Sequence, residues 1–164
     1  MKTRNILFYI FLTLMVLVDV FIIVEGGING INSSSQSMGV TQFIVSIIEK
    51  INPNSRFVTD PEWAHMVTRK LVGHFGLFGV SGIFTVLTLS MIDDAYINKK
   101  IQILVSALAI GLSVAVISEA MQFITPGRYM SIIDVLIDYA GFILFGGITY
   151  LILFLVNRKK EKKE

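Results

Sequence analysis

Cysteine is absent from the 164 residues, which excludes disulfides, thiolate catalysis and metal sites built on cysteine. Charge is scarce too: Asp, Glu, Lys and Arg make up 16% of the chain, against about a quarter of a soluble domain. No repeat recurs at a fixed period, and the Lys/Glu-rich end is the one low-complexity stretch. What fills the space is apolar: 54% hydrophobic residues and a mean hydropathy of +0.72. These values define an integral membrane protein, small enough to be one helical bundle.

Long apolar stretches at residues 6–24, 71–91, 101–123 and 131–156 are each able to cross about 30 Å of hydrocarbon as a helix. The predicted fold is all-α: a membrane-embedded four-helix bundle over residues 1–157, an external loop at 25–70, and a basic tail at 158–164. No small-x-small cleavage site follows Val24, so the first stretch reads as a retained anchor rather than a signal peptide. Much of the positive charge lies in the two tails, Lys2 and Arg4 at one end and Arg158 to Lys163 at the other. That distribution argues for orientation rather than nucleic-acid binding, and places both termini in the cytoplasm of a multi-pass cell-membrane protein.

Within the loop, residues 26–37 are rich in Gly, Asn and Ser and are expected to be flexible. Val40, Phe43, Ile44, Ile47, Ile48 and Ile51 recur on one helical face, predicting a short amphipathic helix on the outer leaflet or over the bundle mouth. Asp60-Pro61-Glu62 is a helix-start signal, and Trp63 suits an interfacial anchor.

Ionisable residues inside a bilayer are costly and usually functional. At about 1.5 Å per residue, Asp19, Glu119 and Asp138 lie roughly 10 Å deep, and His74 and Asp134 about 5 Å. Lys70 with His74, Glu119 with Gln122, and Asp134 with Asp138 are three or four residues apart, so each pair shares a helical face. Ala107, Gly111, Ala115 and Glu119 recur every four residues, which turns Glu119 toward a neighbouring helix. Glycines at 73, 76, 79 and 82, with Gly141, Gly146 and Gly147, read as packing seams; their spacing makes no phosphate loop.

Three uses are open to this set. Lys70 and Arg128, with Arg69 beside them, offer cations for an anionic headgroup. His74 and the carboxylates offer ligands for a divalent cation, though without a diagnostic spacing. Glu119 and His74 offer an acid and a base, without an evident nucleophile. A proton or cation carrier fits poorly, since the inner halves of the spans lack ionisable residues.

Arg69-Lys70-Leu71-Val72-Gly73-His74-Phe75 with Phe78-Gly79, Ser118-Glu119-Ala120-Met121-Gln122-Phe123, Pro126-Gly127-Arg128, and Asp134-Val135 with Gly141 together resemble the VanZ-like family of small bacterial membrane proteins. The resemblance implies a link to teicoplanin resistance and no established reaction. By position it marks Lys70, His74, Glu119, Gln122, Arg128 and Asp134 as site residues. Asp138 departs from it, since the family commonly has Asn there. The expectation is an outer-leaflet pocket, Asp138 included, that binds an anionic envelope glycolipid or the lipoglycopeptide among membrane lipids. No cofactor is required; a divalent cation is open, and no protein partner is specified. A headgroup enzyme and an accessory subunit of an envelope complex are the alternatives.

Overall fold

The computed structural model describes residues 2–92 and 99–161. It is helical throughout, with no strand among those residues: α1 (Lys2–Gly26), α2 (Gly30–Ile51), α3 (Arg56–Thr59), α4 (Pro61–Thr68), α5 (Leu77–Ser90), α6 (Lys99–Ile124) and α7 (Ile132–Glu161). Between α4 and α5 the helix continues without a break as a π-helix, Arg69–Gly76. Among the described residues four helical segments are long and apolar enough to cross a membrane: Thr3–Gly26, Pro61–Ser90, Ile101–Ile124 and Ile132–Val156. The second begins ten residues before the apolar stretch 71–91, at the Asp60-Pro61-Glu62 signal, as the sequence predicts. The Asp60 side chain accepts from the Trp63 N–H at 3.1 Å, with Pro61 in the first turn.

The predicted flexible linker is also shorter than expected. Asn29 caps α2 by accepting from the Asn32 N–H at 2.9 Å, and this cap draws residues 30–37 into the helix despite their weak propensity. Ser37 and Thr41 satisfy their hydroxyls on carbonyls of the preceding turn. At the other end of the chain α7 stays helical to Glu161; residues 162–164 of the basic tail lie outside the described residues.

The core is a thin apolar column of Ile22, Phe78, Val86, Ala107, Val114, Ala115 and Phe142. Around it, large apolar side chains such as Tyr9, Leu17, Val105, Ile133 and Leu151 are exposed, the surface expected of helices whose solvent is lipid. Close packing is concentrated where α5 meets α7. A Cβ added at Gly82 would lie 2.4 Å from the Phe142 carbonyl oxygen, and one at Gly141 only 2.1 Å from that of Phe75. The predicted glycine seam is therefore built from Gly79, Gly82, Gly141 and Gly146, while Gly73 and Gly147 face open space.

Both ends of the bundle are tied. At one, Arg4 donates to the carbonyls of Met91 and Ile92 at 3.1 and 2.8 Å. At the other, the turn after α6 wraps the end of α1: Thr125 Oγ1 donates to the Gly26 carbonyl at 3.2 Å, and the Gly30 N–H to that of Pro126 at 3.1 Å. Thr125-Pro126-Gly127-Arg128 closes through Arg128 N–H to Thr125 O at 3.2 Å, with Gly127 at φ +75. Proline second and a positive-φ glycine third are what a type II turn demands.

Candidate functional site

The parallel pair made by the second and fourth spans carries the site. Lys70 Nζ donates to Asp134 Oδ1 at 2.8 Å, and His74 Nδ1 meets Asp138 Oδ1 at 2.9 Å one turn deeper. Both contacts join residues 64 positions apart. A constant offset along two ladders requires helices running the same way in register, and the i,i+4 spacing predicted on each helix becomes two rungs between them. The wide π turn carries Arg69, Lys70 and His74 together; such turns recur at functional sites.

Glu119 enters from α6 and is fully buried. One carboxylate oxygen accepts from the Ser131 N–H at 2.9 Å, the other from the Gln122 amide. Ser131 in turn caps α7, accepting from the Asp134 N–H at 3.2 Å. Glu119 thus fixes where the fourth span begins. Ligand atoms of His74, Glu119 and Asp134, from three different spans, all lie within 4.8 Å of one another.

Arg128 is committed to the backbone. Its Nη1 donates to the Glu25 carbonyl at 2.7 Å, with Ile28 O and Ser33 Oγ at 3.5 and 3.4 Å. Burial, then the neighbouring Arg69 guanidinium, holds its pKa below the ordinary arginine value. The Arg69 guanidinium has no hydrogen-bond or ion-pair partner among the described residues.

A cavity of about 520 Å³ opens beside this cluster. Arg69, Arg128, Glu25, His74, Ser118 and Gln122 supply polar groups to its wall; Phe21, Ile22, Val40, Val72, Leu77 and Phe78 supply the apolar part. α2 contributes Ser33, Gln36, Ser37 and Val40, and is pinned over the opening by Ser37 Oγ to His65 Nε2 at 2.8 Å.

Of the sequence-marked residues, His74, Gln122 and Arg128 line the cavity. Lys70, Glu119, Asp134 and Asp138 form the bonded network next to it. Asp19 belongs to neither, and accepts from Ser81 Oγ at 2.5 Å lower in the bundle. Arg69, an accessory in the sequence pattern, and Ser131 and Glu25, which no motif marks, join the site. Spacing could not promote Arg69, because only the network around its neighbour Lys70 reveals which of the two cations is spoken for.

The fold and this network define a small multi-pass helical membrane protein with an ionisable cluster near one end of the bundle. The VanZ/LLP1 family model matches residues 7–155, nearly the whole chain, and the protein belongs to that family. Comparison with curated proteins finds no match, and comparison with solved structures finds none.

Proposed function

We propose that the protein binds an anionic amphiphile of the bacterial envelope, or a lipoglycopeptide such as teicoplanin, in this cavity and thereby lowers susceptibility to the drug. The observation that carries this is the pairing of two guanidiniums, Arg69 and Arg128, on the wall of a cavity that is otherwise largely apolar. Like charges brought together beside apolar surface are stabilised by an anion between them, and Arg is suited to bidentate contact with phosphate or carboxylate. The apolar wall then accommodates the acyl portion of the same molecule.

Roles divide accordingly. Arg69 grips the anion, Arg128 holds the rim in shape while adding charge, and His74, Gln122 and Ser118 offer hydrogen bonds to sugar or peptide groups. Lys70, Glu119, Asp134 and Asp138 hold the helices that present them. Basic residues in both tails support an orientation with the termini cytoplasmic, which sets the cavity in the outer leaflet, where envelope lipids and the drug are met.

The test is expression in a susceptible Gram-positive host, comparing teicoplanin with vancomycin, which lacks the acyl chain. Wild type is expected to raise the inhibitory concentration of teicoplanin selectively, and Arg69→Ala at equal membrane level to abolish the gain. Unchanged susceptibility with well-expressed wild type contradicts the proposal. Arg128→Ala is expected to lose folded protein as well as phenotype, because it strips three oxygen contacts from the loop.

A further inference from the structure

We infer that His74, Glu119 and Asp134 form a binding site for one divalent first-row cation, at the junction of the π-helix, α6 and α7. The three residues come from separate spans, and their ligand atoms converge within 4.8 Å, so side-chain adjustments of a few tenths of an ångström bring them within the about 4.4 Å that ligands at about 2.2 Å on opposite sides of one ion span. This site goes beyond the anionic-ligand proposal and does not depend on it.

Orientation of the imidazole supports coordination. His74 Nδ1 meets Asp138 Oδ1 at 2.9 Å; in the neutral tautomer that donates there, Nε2 carries the free lone pair, and a carboxylate behind a histidine is the usual arrangement where the ring ligates a metal. Asp138 is wholly buried, and its second oxygen has no hydrogen-bond partner. An unpaired acceptor at that depth marks negative charge or polarity that the protein's own donors leave unanswered.

Charge points the same way. Glu119, Asp134 and Asp138 converge here from α6 and α7, and among the described residues Lys70 is the lysine or arginine bonded to them, reaching a single oxygen of Asp134 from the more exposed side. With the ring neutral, a divalent cation balances the remaining two negative charges, whereas a bare carboxylate trio would repel itself. One imidazole with carboxylate oxygens suits Zn²⁺ or Mn²⁺, and with no cysteine in the chain softer thiolate-bound metals have no ligand.

The experiment is metal titration of the full chain in detergent, purified without a polyhistidine tag and stripped with chelator, using Zn²⁺ and Mn²⁺ alone as probes. Wild type is expected to take up one equivalent of at least one metal, read by equilibrium dialysis with elemental analysis. His74→Ala and Glu119→Gln are expected to lose that equivalent, and Asp138→Asn to weaken it by about 10- to 100-fold through loss of the orienting bond. His65→Ala, at the histidine bonded to Ser37, is expected to bind as wild type does. Folded wild type that takes up no stoichiometric metal, or His74→Ala that binds equally, overturns the site. Either result leaves the Arg69 susceptibility comparison intact, so the two proposals fail separately.

Discussion

At the scale of single residues, Glu119 does two jobs that a chemical reading tends to merge. It is a ligand candidate, but it also accepts the Ser131 N–H and the Gln122 amide in a fully buried position. Glu119→Ala leaves both donors without a partner, at a cost of about 1–3 kcal/mol for the buried Gln122 amide and less for the half-buried Ser131 N–H. The expected outcome is a markedly lower melting temperature in detergent. Glu119→Gln keeps a carbonyl for Ser131 and is expected to fall between that variant and wild type. Equal melting of wild type and Glu119→Ala would show that α7 is not anchored through this carboxylate. The Arg69 guanidinium contrasts with it: lacking any bonded partner among the described residues, it can be removed with little effect on stability, which is what qualifies it to meet a ligand.

At the scale of elements, the parallel contact between α5 and α7 sets the site, and its glycines are unequal. Gly82→Ala would press a methyl group against the Phe142 carbonyl, whereas Gly73 has no atom within 4 Å of an added Cβ. Overpacking of this kind costs about 1–3 kcal/mol, so Gly82→Ala is expected to reduce the yield of folded protein in the membrane fraction while Gly73→Ala matches wild type. Comparable yields from both would deny the seam. The sequence made the spans legible through hydropathy, and the inward aim of Glu119 through the small residues at 107, 111 and 115. It also grouped Lys70 with His74 and Asp134 with Asp138 from one-turn spacing. It could not show that these two ledges face each other, because register between spans is set by packing and not by any local pattern. Nor could it reveal the π turn at Arg69–Gly76, which no local residue pattern announces. The length of α2 escaped it for a simpler reason: composition favoured a loop, and a single cap at Asn29 with tertiary contact to α4 overrode propensity.

At the scale of the molecule, the outward surface is apolar along the spans, the tails are basic, and the ionisable cluster and cavity sit near the end covered by α2. Native absence of cysteine makes the proposed orientation directly measurable. Gly39→Cys, on the exposed side of α2 with no atom near an added Cβ, is expected to react with a membrane-impermeant maleimide in intact cells, whereas Lys160→Cys in the tail is expected to react only after lysis; the reverse pattern would invert the topology. The central claim is that the Arg69–Arg128 cavity holds an anionic amphiphile, and native mass spectrometry of the purified protein tests it most directly. The probes are a dialkyl phosphate lipid and an uncharged diacylglycerol of the same chain length. Wild type is expected to retain one phosphate-bearing lipid in clear preference to the neutral one. Arg69→Ala is expected to lose that preference by about tenfold or more, since a charge-assisted hydrogen bond is worth about 1.5–3 kcal/mol. Equal retention of both lipids by wild type, or a preference unchanged in Arg69→Ala, would contradict it.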